Sequence, residues 1–195
     1  DTSSGNTDPN GYEWDLGDGG SSTSDSTIDH TYINDRTTDT TYTIELVTTS
    51  PYLCRDTATK DITVYSYIEA MFTIDTVKGC SPFPVVITNN SKGGVDSCYW
   101  DFDGDGTNDD TTYTKTATIP RNYTNTGNTT DTINIRLIVD NSNCTDTLFR
   151  TIYVYPEVTA AYAQNPSSGC NPLNVAFTNN SEYTGVAGNT SGLVY

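Results

Sequence analysis

Hydrophobic residues fall at every second position in several short stretches of this chain, the period of a strand with one buried face. Ala70, Phe72 and Ile74 fall at every second position and predict a first strand. Val85 and Ile87 predict a second, ending at Asn89, and Cys98, Trp100 and Phe102 a third. Ile133, Ile135, Leu137 and Val139 alternate along a central strand. Leu148, Ile152 and Val154 mark the last, which Pro156 stops. Turns rich in Asn, Asp and Gly separate these stretches, and no helical period of useful length is present. Apolar faces at period two must be buried in pairs, so the expected fold class is all-β, with two sheets stacked about 10 Å apart.

The pattern repeats. Cys54 and Cys80 recur 90 positions later as Cys144 and Cys170. Gly79-Cys80-Ser81-Pro82 matches Gly169-Cys170-Asn171-Pro172, and Thr88-Asn89-Asn90-Ser91 matches Thr178-Asn179-Asn180-Ser181. Ile62-Thr63-Val64-Tyr65 matches Ile152-Tyr153-Val154-Tyr155. The stretch 99–106, YWDFDGDG, is matched by YEWDLGDG at 12–19, with Trp14 and Trp100 only 86 apart. Five extra residues therefore sit in the second copy around 105–110, as insertions in exposed loops do. A period near 90 is too long for a solenoid and fits a tandem array of domains with separate cores. Residues 1–66 read as a repeat lacking its first two strands, 67–156 as a complete repeat, and 157–195 as the first two strands of another.

Charge narrows the partners. Nine basic residues against 25 acidic ones give a net charge of −16 in 195 residues. Phosphate binding needs a basic footprint, so neither nucleic acid nor an anionic membrane surface is expected. No run is long and apolar enough to span a bilayer. Disorder, the other reading of so polar a chain, is opposed by two Trp, 14 Tyr and the regular alternation. Asp1 opens in a polar loop and Tyr195 ends within the pattern, which reads as a mature or fragmentary chain. The five cysteines, Cys54, Cys80, Cys98, Cys144 and Cys170, form no C-x-x-C pair. Their scatter argues against a zinc or thioredoxin-like site and for an oxidising, extracellular setting. Their odd number leaves at least one unpaired or paired elsewhere.

Trp14-Asp15-Leu16-Gly17-Asp18-Gly19 followed by His30-Thr31-Tyr32 resembles the signature of polycystic-kidney-disease (PKD) domains. The second copy has Arg121-Asn122-Tyr123 in place of the histidine motif. The resemblance implies immunoglobulin-like sandwiches, arranged end to end, with the Trp of the third strand filling each core. In that fold the third strand starts, and the sixth ends, at one pole. The resemblance thus implies a Cys98–Cys144 cystine, with Cys80 at the opposite pole in the turn between the first two strands. Cys54, Cys80 and Cys170 are left as candidates for bridges between domains.

Asp101, Asp103, Asp105, Asn108 and Asp109 lie within nine residues, in the order D-x-D-G-D-G-x-N-D. This resembles the start of a calcium loop, where alternate oxygens turn toward a hard cation. The competing reading is a tight turn whose Asp side chains cap their own backbone amides. No EF-hand Glu follows, and the first copy keeps only Asp15 and Asp18. His30, the sole histidine, reads as a structural partner of the Trp corner rather than a catalytic base. No carboxylate pair stands out for glycoside hydrolysis. Asn-x-Ser/Thr sequons occur at Asn89, Asn122 and Asn143. Asp-Thr followed by an apolar residue, at Thr57, Thr76, Thr132 and Thr147, resembles the O-glycosylation signal of some Gram-negative surface proteins.

The combination of G-C-x-P, T-N-N-S, Trp-Asp corner and C-x-D-T resembles the large repeat-bearing adhesins of gliding and surface-attached Gram-negative bacteria. It implies a non-enzymatic spacer and scaffold segment of an extracellular adhesin or filament at the cell surface. Its partners would be neighbouring repeats and surface polysaccharide, with calcium as the candidate cofactor. The alternatives are an accessory PKD-type region of a secreted hydrolase and a glycan-binding module with an exposed aromatic platform. Short linkers at 64–68 and 155–159 imply a semi-rigid rod rising on the order of 40 Å per repeat. A rival arrangement has separate chains complementing each other's missing strands.

Overall fold

The computed structural model describes residues 11–23 and 27–183. Every regular element among them is a strand. The chain divides into two compact units, one of 1–69 with 92–96 and 140–145, the other of 70–91, 97–139 and 146–195.

In the first unit, β1 (Tyr12–Asp15), β2 (Ser21–Ser22), β3 (Thr40–Thr49) and β4 (Arg55–Val64) form one antiparallel sheet in the order β2-β1-β3-β4. The long β3–β4 hairpin pairs ten residues on each side, Thr40 with Val64 through Thr49 with Arg55. Strand β5 (Ile68–Glu69) follows.

The second unit holds a β-sandwich. Strands β6 (Phe72–Ile74), β7 (Lys78–Cys80) and β8 (Phe83–Asn89) come first. Strand β9 (Lys92–Gly93) belongs to the first unit, where it pairs with β5. Then come β10 (Ser97–Asp101), β11 (Asp110–Thr112), β12 (Thr118–Tyr123), β13 (Asp131–Asp140) and β14 (Thr145–Tyr155). One sheet has the order β12-β8-β6, the other β11-β10-β13-β14-β7. The apolar alternation decides which face goes inward. Phe72, Val85 and Ile87 from the smaller sheet meet Trp100, Ile135, Leu137, Ile152 and Val154 from the larger, all within 2% of full burial.

Three strands escape the apolar pattern. In β12 only Ile119 and Tyr123 are buried, and Pro120 is tolerated because β12 is an edge strand. Strand β11 is short and polar. Strand β7 runs parallel to β14, with Cys80 opposite Tyr155. Cys80 is therefore a strand residue, not the turn residue the sequence implies, because the chain crosses from one sheet to the other between β6 and β7. A close side-chain approach explains the glycine of the G-C-x-P motif in both copies. A Cβ on Gly79 would lie 2.4 Å from the Phe83 ring, and one on Gly169 would lie 2.5 Å from Leu173.

C-terminal to the sandwich, one hairpin lies inside a second, outer two-stranded ladder. Strands β15 (Val158–Thr159) and β18 (Glu182–Tyr183) enclose β16 (Tyr162–Asn165) and β17 (Ala176–Asn179), pairing β15 with β18 and β16 with β17. The T-N-N-S motif makes the same bonds here as in the sandwich. Asn89 Oδ1 accepts from Ser91 N at 3.1 Å, and Asn179 Oδ1 from Ser181 N at 2.9 Å. Asn90 N donates to Met71 O, and Asn180 N to Ala161 O.

A buried asparagine, silent in the apolar pattern, ties loop to strand in each larger copy. Asn125 Nδ2 donates to Thr129 O at 2.7 Å and Val154 O at 2.8 Å, and its Oδ1 accepts from Gly127 N. Asn34 Nδ2 donates to Thr38 O and Val64 O, each at 2.9 Å, and its Oδ1 accepts from Arg36 N.

Candidate functional site

The Trp-Asp corners are built alike from the backbone outward. In one, Gly17 and Gly19 have φ of 77° and 95°; in the other, Gly104 and Gly106 have 77° and 94°. These left-handed angles suit glycine. A Cβ on Gly17 would also strike Thr43 O at 2.6 Å. Each corner is clamped by a tyrosine that donates to a carbonyl, Tyr32 to Leu16 O at 2.9 Å and Tyr123 to Phe102 O at 3.0 Å. Burial pushes the Tyr123 phenol up to about 12, so it remains a donor at any physiological pH.

The second corner carries the acidic cluster. Asp101 is 2% exposed. Its Oδ1 accepts from Gly104 N at 2.7 Å and its Oδ2 from Gly106 N at 3.0 Å. Arg136 Nη2 stands 3.4 Å from Asp101 Oδ2 and also donates to Gly106 O and Asn108 Oδ1. Carboxylate oxygens of Asp101, Asp103 and Asp109 come within 4.8 Å of one another. Asp105 does not join them. It turns back on Thr107, accepting from its amide and hydroxyl at 2.7 Å, and the hydroxyl bond is the main cause of its lowered pKa. Asn108 is committed to Arg136. Of the five residues read as metal ligands, Asp101, Asp103 and Asp109 converge, Asp105 caps the loop through Thr107, and Asn108 pairs with Arg136. The donor set suits a hard cation only in part: both Asp101 oxygens are engaged by amides and a guanidinium, and Asp103 and Asp109 each hold one loop amide, of Asp105 and Phe102, with a single carboxylate oxygen.

The first corner uses its charges differently. Asp15 Oδ1 accepts from Gly17 N and Asp18 Oδ1 from Gly20 N, each at 2.9 Å. His30 Nε2 lies 2.7 Å from Asp18 Oδ2, and its ring stands edge-on to Tyr32. In the second corner Arg121 takes the place of His30, lying 3.9 Å above the Phe102 ring and 3.5 Å from Asp110. The hydrogen bond from His30, then that from the Gly20 amide, hold the Asp18 carboxyl below its ordinary 3.8. A carboxyl lowered on folding stabilises the fold above 3.8 and loses that contribution as pH falls through the lower, folded value. Asp18→Asn should therefore lower the melting temperature relative to the unaltered chain at neutral pH, and the gap should close below the carboxylate range. Thermal unfolding across pH checks this; a gap independent of pH would overturn it.

All five cysteines are free thiols, Cys98 and Cys144 included. Period two sends Cys98 into the core with Trp100, where it is fully buried and accepts from Asn89 Nδ2 at 3.2 Å. Cys144 sits at the end of a turn, its amide donating to Asn141 Oδ1. Cys54, Cys80 and Cys170 are exposed. Thr57, Thr76, Thr132 and Thr147 are exposed as well. Asn89 is 1% exposed, with its amide committed to Cys98 and Thr114 O, which closes that sequon to a glycan in the folded domain.

The buried Asn34 and Asn125, the tyrosine clamps and Arg136 are the residues the sequence reading did not single out for these roles. Their signal was present in the 91-residue spacing of Asn34 with Asn125 and Tyr32 with Tyr123. No protein-family model matches this chain, and no curated protein matches it.

Proposed function

We propose that this chain is a structural segment of a long extracellular adhesin or filament, built of PKD-like, immunoglobulin-type sandwiches that serve as spacer and scaffold. The observation that carries this reading is repetition of internal detail. The corner glycines, the tyrosine clamp and the Asn34/Asn125 ties recur with the same partners in the same order. Chemistry conserved inside a module, with different charges displayed outside it, is what a spacer needs. On this reading the module sits on the surface of a Gram-negative cell, its partners are neighbouring repeats and surface polysaccharide, and it catalyses nothing. O-linked glycans at the exposed Thr57, Thr76, Thr132 and Thr147 would add a hydrophilic cover to the segment. Calcium at Asp101, Asp103 and Asp109 would stiffen one corner.

Antibodies to residues 67–156, viewed by electron microscopy on the source cells, test the reading. Label along extended surface fibres is expected. Label only in the medium, co-purifying with a hydrolase, would replace it with the accessory-region reading, and label confined to the cell interior would overturn both.

A further inference from the structure

A cluster of hydrogen bonds in the first unit joins segments that lie far apart in the chain, and Ser66 is at its centre. Ser66 is 7% exposed. Its amide donates to Asp39 Oδ1 at 2.8 Å. Its hydroxyl and carbonyl oxygens accept from Asn141 Nδ2 at 2.8 and 3.3 Å, across 75 positions. Asn141 is equally buried, and its Oδ1 accepts from the amides of Asn143 at 3.2 Å and Cys144 at 2.8 Å, which shapes the turn between β13 and β14. The residues around Ser66 are tied in the same manner. Tyr67 N donates to Arg36 O, Gly94 N to Tyr67 O, and Asp96 N to Asp140 O. Ile68 and Glu69 pair with Gly93 and Lys92. The loop can lie this close only because 93 and 94 carry no side chains. A Cβ on Gly93 would stand 1.8 Å from Tyr67 O, and one on Gly94 2.5 Å from Thr37 O. All of these residues belong to the first unit, although 92–96 and 140–145 come from the second sequence repeat.

The Ser66–Asn141 pair is not part of the chemistry that the repeats share. Pro156 stands 90 positions after Ser66, and Pro51 stands 90 positions before Asn141. Proline has neither an N–H nor a polar side chain, so neither substitute can make these bonds. The Asn34 and Asn125 ties, by contrast, are kept in both larger copies. We infer that Ser66 and Asn141 form a lock peculiar to this one boundary, which makes segment 64–69 and turn 141–144 open together. Folded chains open in cooperative units. Here the unit follows the hydrogen bonds rather than the sequence, and the turn opens with a segment 75 positions away. Burial couples the two sides, because opening either one strands a polar group of the other out of water. The inference does not depend on the adhesive role.

Native-state hydrogen exchange of the 195-residue chain tests it. Ser66→Ala removes only a hydroxyl and leaves the turn's own bonds intact. It should nevertheless speed exchange at Asn143 and Cys144, as well as at Tyr67 and Gly94, by roughly fivefold to tenfold. Asn141→Ala should speed the same four amides at least as much. Combining the two should add nothing at Tyr67 and Gly94, because both substitutions remove the same contact. Amides of the β8–β12 ladder should keep their rates in every variant. Three outcomes would overturn the inference. One is an effect of Ser66→Ala confined to 64–69 and 92–96. Another is full additivity of the two substitutions at Tyr67 and Gly94. The third is an equal acceleration of the β8–β12 ladder, which would mark general destabilisation in place of a lock.

Discussion

Trp100→Ala should cost the sandwich about 3–5 kcal/mol, the range for emptying a large aromatic site in a packed core. The side chain is fully buried. Its ring meets Phe72 edge-on at 5.3 Å and stacks on Phe102 at 5.4 Å, so two aromatic rings lose their common neighbour at once. Its Nε1 donates to Thr112 Oγ1 at 3.3 Å, a bond that also pins the short edge strand β11. Deleting the ring leaves that edge held by little more than the three residue pairs of the β10–β11 ladder. Trp14, which occupies the same position in its own corner, is only half-buried. Trp14→Ala should cost clearly less, because area already wet cannot be lost again. Urea unfolding followed by far-ultraviolet circular dichroism measures both. Equal losses at the two positions would mean that the sandwich core is not centred on Trp100.

The sequence made the sandwich legible because its core strands obey a simple rule. Ile135, Leu137 and Val139 fall at every second position of β13, and all three are completely buried. The strands it hid are those whose place is set by something other than apolar burial. Strand β7 pairs through its backbone, and its one distinctive residue, Gly79, is required by the Phe83 ring rather than by any turn. Strand β12 has two inward residues and a proline. The acidic corner was legible as a cluster, but alternation of oxygens did not determine which of them converge. Asp105 follows a glycine with a left-handed backbone, and that reversal swings its carboxylate onto Thr107, while Asp109 closes back to donate its amide to Trp100 O. The cystine implied by the fold resemblance is not formed in this structure, where period two turns Cys98 into the core beside Trp100.

The second large effect is expected at Asp101. Asp101→Ala should destabilise the sandwich by about 3–5 kcal/mol, the cost of stranding one member of a buried ion pair. Its carboxylate satisfies the amides of Gly104 and Gly106 at once, and both glycines sit at backbone angles that the turn cannot exchange for others. It also balances Arg136, whose side chain is 19% exposed and whose Nε already lacks a hydrogen-bond partner. Removing the carboxylate therefore orphans two amides and leaves a largely buried cation uncompensated. Asp101→Asn keeps the shape but not the charge, and should fall between the variant and the unaltered chain. Adding Arg136→Met to Asp101→Ala should recover part of the loss, because the stranded charge is then gone. Asp15→Ala is the control. Asp15 is exposed and holds a single amide, so its loss should stay near the ~1 kcal/mol of an ordinary hydrogen bond. Denaturant unfolding with and without a chelator separates the internal network from a metal site. If amides and guanidinium carry the corner, the Asp101→Ala loss is the same in both conditions. A loss seen only in the calcium-loaded protein would transfer that role to the cation, and no rescue by Arg136→Met would remove the guanidinium from the account.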